Sequence, residues 1–193
     1  MEIDYILGNL PRLETERLIL RKMTLADAQD MFEYASDPEA TKYTLWDFHK
    51  SIEDSVQYIK SVIQKYENKE VSDWGVILKE NNKVIGTCAY LWWRTEHNRA
   101  EIGYVLSRKY WGKGLMTEAV KEAIKFGFEQ MQLNRIEGRC FLENLASQRV
   151  LEKVGMTFEG ILREQLLVKG VYRNLRLYSL LRKEFNGENK WTI

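Results

Sequence analysis

The segment Tyr110-Trp111-Gly112-Lys113-Gly114-Leu115-Met116-Thr117-Glu118 constrains the fold more than any other stretch of the chain. Just before it, over residues 74–107, apolar residues come in short blocks bounded by turn residues. After it, Leu115, Ala119, Val120, Ala123, Ile124, Phe128 and Met131 recur at three- and four-residue spacing. A strand must end there, and a helix reaching about Gln132 must begin. Glycines at that junction free several backbone N–H groups at the positive end of a helix dipole, and such donors suit a phosphate or pyrophosphate. The segment is not a P-loop, because no Ser or Thr follows Lys113 and the upstream glycine is missing. Nor is it a dinucleotide fingerprint: Thr117 stands in place of the third glycine, and the preceding strands do not read as a parallel βαβ unit. Taken alone, a glycine-rich turn that merely starts a helix explains it equally well.

The rest of the chain supplies context. Residues 17–22 read as a strand, and Thr24-Leu25-Ala26-Asp27 as a capping box opening a helix to about Ala35, which Ser36-Asp37-Pro38-Glu39 breaks. Ser51 caps a second helix to about Tyr66, with Ile52, Val56, Ile59, Val62, Ile63 and Tyr66 on one face. Strands over 74–79, 83–93 and 100–107, joined by short turns, predict an antiparallel meander. Beyond the long helix come a strand over 136–142, a helix capped by Asn144 and stopped by Gly155, and a hairpin of 157–168 and 171–181 about Lys169-Gly170. The order β α α β β β α β α β β is mixed α/β, with a βαβ crossover in the second half. No repeat, low-complexity tract or linker divides the chain, so residues 1–193 are read as one domain.

Charge and composition narrow the function. With 29 Lys and Arg against 28 Asp and Glu, the net charge of +1 gives no field to hold nucleic acid or an anionic membrane. Cys88 and Cys140 lack metal-ligand spacing, and His49 and His97 cannot complete a site, so no metal is expected. The N-terminus is acidic where a secretory signal needs positive charge, and residues 84–93 are roughly half the length a spanning helix needs. A cytoplasmic protein with free thiols is the expectation.

Four stretches agree in type, order and spacing with one family: Leu13-Glu14-Thr15-Glu16-Arg17-Leu18, Ala100-Glu101-Ile102-Gly103-Tyr104, Tyr110-Trp111-Gly112-Lys113-Gly114, and Glu143-Asn144-Leu145-Ala146-Ser147 running into Leu151-Glu152-Lys153-Val154-Gly155. Over about residues 13–185 the chain resembles the GNAT superfamily of N-acetyltransferases, in the branch that includes the ribosomal-protein N-terminal acetyltransferases. The resemblance implies a mostly antiparallel sheet flanked by helices, with two splayed parallel strands, 100–107 and 136–142, forming the cofactor cleft. It implies acetyl-CoA, its pyrophosphate on the amides around Trp111, Gly112, Lys113, Gly114, Leu115, Met116 and Thr117. The family signature is Arg or Gln, two residues, Gly, one residue, then Gly or Ala; Trp111 and Met116 depart from it.

Further site residues follow from the same resemblance. Asn144 is both a helix cap and, with Ser147, a residue facing the thioester end of the cofactor; Ser147 is then a candidate proton donor to the departing thiolate. Glu101 is the candidate general base, and otherwise a solvated carboxylate on a sheet face. Glu164 is its rival on the hairpin, although counting from Ser147 places the family's hairpin glutamate at Leu166. Among Tyr43, Trp46, Phe48, Trp92 and Trp93, core packing is the plain reading, with one Trp left to line an acceptor pocket or a subunit contact. The implied acceptor is a primary amine, a protein or peptide N-terminus. The alternatives are a small molecule such as an aminoglycoside, polyamine or amino acid analogue, and a CoA-binding module without transferase activity. A monomer or homodimer is expected, with Trp92, Trp93 or residues 190–193 at the contact.

Overall fold

The computed structural model describes residues 10–185. Its strands are β1 (Leu13–Glu14), β2 (Leu18–Lys22), β3 (Asp73–Leu78), β4 (Lys83–Arg94), β5 (Arg99–Leu106), β6 (Arg135–Phe141), β7 (Thr157–Val168) and β8 (Val171–Leu181). Its helices are α1 (Ala28–Ala35), α2 (Ile52–Glu67), α3 (Leu115–Glu129) and α4 (Leu145–Lys153). The long helix stops three residues short of the expected Gln132, and the two-residue β1 has too few side chains to show a period. Capping boxes form at both expected starts, Thr24 with Asp27 and Ser51 with Asp54.

The eight strands make one sheet in the order β1-β2-β3-β4-β5-β6-β8-β7. Every neighbouring pair is antiparallel except β5 and β6, which α3 connects as a crossover. Paired residues share a face, so the sheet buries two different surfaces. Trp74, Val76, Ile85 and Ile102 pack with Ala119, Val120 and Ile124 of α3. Ile77 and Val84 pack with Met31 and Tyr34 of α1 and Ile59 and Val62 of α2.

The parallel pairing runs only from Arg99 and Arg135 to Ile102 and Gly138. Beyond that point β5 stays with β4 while β6 stays with β8, so the two strands part and leave a gap through the sheet. The α3 face and the α1–α2 face meet there, as the splayed pair predicts. Among the described residues, no helix is long and apolar enough to cross a membrane.

Candidate active site

At the end of β5 the chain makes a short turn and enters α3 through Gly112 and Gly114, both at φ 76°. That left-handed conformation favours glycine, and it tilts successive amides to one side. The Trp111 amide donates to the Arg108 carbonyl and the Glu118 amide to the Gly114 carbonyl. The amides in between, 112–117, have no backbone partner among the described residues. Leu115 and Met116 are buried in the core, so they offer the cradle their N–H groups rather than their side chains. Lys113 places its ammonium 5.3 Å from the Tyr110 ring centre. Trp111 is 44% exposed, and its indole N–H donates to the Leu106 carbonyl at 2.8 Å. Its ring therefore closes the rim where the family signature has a polar side chain. Free amides, a helix start and open space beside Gly112 fit a pyrophosphate.

A clamp explains why the Leu13 to Leu18 motif accompanies this turn from about a hundred residues away. Glu118, in the first turn of α3, accepts from the Thr15 hydroxyl, the Arg17 amide at 2.9 Å and the Arg17 guanidinium at 2.7 Å. Arg17 also donates to the Lys113 carbonyl at 3.1 Å. Burial alone would raise the Glu118 carboxyl; these donors outweigh it and hold the group below its ordinary range.

A cleft of about 250 Å³ occupies the gap between β5 and β6. On its α3 side Asn144 caps α4 by accepting from the Ser147 amide at 3.1 Å, the structural half of its double reading. The Ser147 hydroxyl lies 2.9 Å from that of Tyr104, which burial keeps far above its ordinary titration range and so protonated. Cys140 shares this wall, and burial pushes its thiol up to about 11. Sequence reasoning omitted Tyr104 because an aromatic on a strand reads as core.

Glu101 lies in the cleft wall but is 3% exposed. Arg139 reaches both of its oxygens, one at 2.8 Å, and the Trp92 indole N–H donates to it at 2.6 Å. It is therefore an ion-paired strut across the opening strands, not a solvated carboxylate. Trp92 covers that pair, while Trp93 packs against the core. Glu164 sits outside the cleft, on an irregular stretch of β7 at φ 48°, whereas Leu166 lines it, so the hairpin position carries no carboxylate.

The α1–α2 side of the cleft is apolar and aromatic, with Tyr43, Leu45, Trp46, Leu91, Phe141, Leu166 and Leu175. Tyr43 packs on Phe141 with ring centres 5.8 Å apart, and Lys169 at the hairpin tip donates to the Thr41 carbonyl at 3.0 Å. The loop and the hairpin thus close over the strands from opposite sides. Phe48 is exposed, and the expected contact at 190–193 lies outside the described residues. One carboxylate here escaped the sequence reading: Asp73, at the first position of β3, where the expected strand began one residue later.

A twisted α/β sheet parted at one parallel pair, with an amide cradle at the crossover helix, defines a protein that holds a phosphate-bearing arm against a second substrate. Residues 17–157 match the family model described as an acetyltransferase (GNAT) domain, and the chain belongs to the GNAT acetyltransferase family. An N-acetyltransferase named p20 from Bacillus licheniformis is 39% identical over 175 residues, 91% of this chain and 98% of that protein. The crystal structure of a GNAT-family acetyltransferase from Bacillus anthracis superposes with a TM-score of 0.81 at 30% identity, covering 90% of this chain and all of that one. A putative ribosomal N-acetyltransferase of Bacillus subtilis, YdaF, is 38% identical over 92 residues, 48% of this chain and 50% of that protein.

Proposed function

We propose that this protein transfers the acetyl group of acetyl-CoA to the α-amine at the N-terminus of a protein or peptide. Bound acetyl-CoA supplies an activated acyl thioester; the amides of 112–117 would hold its pyrophosphate, and the gap between β5 and β6 its arm. The observation that carries the acceptor class is the makeup of the α1–α2 side of the cleft: largely aromatic and aliphatic walls, with Asp73 a lining carboxylate that Lys65 influences only at a distance, without a salt bridge among the described residues. A polycation such as an aminoglycoside or polyamine calls for several carboxylates, since each buried charge needs a partner. A chain terminus brings one ammonium and an apolar first side chain.

The titration chemistry points the same way. An α-amine with pKa near 7.7–8.0 is already roughly 10% neutral at pH 7, whereas a lysine near 10.4 is about 0.04% neutral. An α-amine therefore asks little of a base, and positioning supplies most of the rate. The hydroxyl of Ser147, supported by Tyr104, is the proton donor to the thiolate. Glu101, with both oxygens held by N–H donors, keeps the strands apart and the acceptor wall in place.

The name of YdaF supports a protein acceptor. A match of similar extent to spermidine N(1)-acetyltransferase of Escherichia coli, 32% identical over 94 residues, keeps a polyamine among the acceptors to be tried. The test is turnover of acetyl-CoA with an alanyl tetrapeptide amide, benzylamine and spermidine. The peptide should give the highest kcat/KM; preference for spermidine would refute the acceptor class, and acetyl-CoA binding without turnover of any amine would refute the activity.

A further inference from the structure

We propose that Asp73 receives the acceptor's ammonium group and so selects amines that present one positive charge beside an apolar body. This rests on the reading that the acceptor is a primary amine. Asp73 pairs with Ala89 of β4, and Ala89 pairs with Gly103 of β5, so the three lie in one row on the α1–α2 face. Two strand spacings, about 10 Å, separate the Asp73 backbone from the place where β5 leaves β6. An amine between them is within reach of both Asp73 and an acyl group held in the gap.

The surroundings of Asp73 leave it available. Its Oδ1 accepts from the Tyr58 hydroxyl at 3.1 Å, while its other oxygen has no partner among the described residues and the side chain lines the cleft. Glu101 differs in both respects, being already neutralised by Arg139. The titratable groups that act on Asp73 are Tyr58 and Lys65 of α2, and those that feel its charge include Tyr34 of α1, Tyr66 of α2 and Cys88 of β4. Burial pushes those three phenols and the thiol upward, so they remain neutral, and Lys65 pulls the carboxyl only partly back. Burial leaves the Asp73 carboxyl above its ordinary range. A carboxylate so placed attracts a cation strongly and can also take a proton from it. Trp46 and Tyr43 line the same cleft and give the acceptor's apolar body an aromatic wall.

The proton balance is closed. The ammonium gives one proton to the Asp73 carboxylate, directly or through one water, and Asp73 returns it to solvent. The neutral nitrogen then forms the C–N bond to the acyl carbon as the C–S bond breaks, and the second N–H proton ends on the thiolate sulfur, relayed by the Ser147 hydroxyl. The products are the amide, the free thiol and one proton in solution.

The test compares wild type with Asp73→Asn, which keeps an acceptor for Tyr58, on the alanyl tetrapeptide amide and on its counterpart lacking the terminal amino group. By calorimetry in the presence of CoA, wild type should bind the amino peptide at least ~10-fold tighter than the des-amino peptide, and the variant should bind both alike, since a charged hydrogen bond is worth roughly 1.5–3 kcal/mol. In turnover, the variant's kcat/KM for the amino peptide should fall ~10²-fold and lose the acid limb of its pH profile. CoA affinity should stay within twofold and certifies the fold. If the variant does not bind CoA, Tyr58→Phe takes its place: removing a donor raises the carboxyl further, so the acid limb should move to higher pH while the plateau stays. Undiminished discrimination between the two peptides in Asp73→Asn, or an unmoved limb in Tyr58→Phe, overturns the inference and leaves the transferase reading standing. Absence of turnover with any amine in wild type overturns both.

Discussion

The two parts of the proposed site are built from different materials. The proposed donor part is backbone: six consecutive amides, two left-handed glycines and a helix start, all within residues 112–117. The proposed acceptor part is side chain: Asp73 on β3, Glu101 on β5, Arg139 on β6, Leu166 on β7, and Tyr43 and Trp46 from the loop before α2. A site made of amides is fixed by where glycines can stand, whereas one assembled from several elements is fixed only once the sheet has ordered. The donor part should therefore be sensitive to backbone conformation and the acceptor part to single functional groups.

Gly114→Val presses hardest on that contrast. The left-handed conformation costs a non-glycine residue about 1–2 kcal/mol, and rearranging the turn also forfeits amide donors worth about 1–3 kcal/mol in total. Acetyl-CoA affinity should fall at least ~30-fold by calorimetry. The nearest atom a new Cβ would meet is Arg17 Nη2 at 3.7 Å, an ordinary contact, so the loss should come from conformation rather than collision.

Glu101→Gln separates strut from base. Leaving Arg139 half-buried without its counter-charge should lower stability by about 1–3 kcal/mol, readable in denaturant midpoints, while the acid limb of the pH profile persists. Loss of that limb would make Glu101, not Asp73, the group whose ionisation activity requires.

Much of this was legible beforehand, and unevenly. The element order, the meander and the glycine turn follow from periodicity and turn residues, which are local properties, whereas the splayed parallel pair was an expectation of the family resemblance alone. The role of Leu13 to Leu18 was visible only as a motif, because the contacts of Thr15 and Arg17 with Glu118 span about a hundred residues. Asp73 was hidden for a different reason. An acidic residue just before an apolar run reads as turn, and only the row through Ala89 to Gly103 shows that it faces the cleft. Glu101 was legible as a carboxylate at the cleft, but its partner Arg139 lies 38 residues away on the neighbouring strand.

Glu118→Ala tests the clamp. Acetyl-CoA affinity should drop ~10-fold as the turn loosens, because hydrogen bonds from Thr15 and Arg17 are lost together. The folded chain holds this carboxyl below its ordinary value of 4.5, so its contribution is complete above that pH and fades as pH falls through the lower folded value. Wild type and variant should converge in thermal midpoint in acid. The smallest effect belongs to Ser147→Ala: a thiol with pKa near 8.5 leaves readily unprotonated, so kcat should fall less than ~10-fold with acetyl-CoA affinity unchanged.

Calorimetric titration of acetyl-CoA into wild type, Gly114→Val and Asp73→Asn, side by side, tests the division of the proposed site most directly. The glycine variant should lose at least ~30-fold and the aspartate variant change by no more than about twofold. Equal losses in both, or a loss in Asp73→Asn with Gly114→Val unaffected, would contradict it.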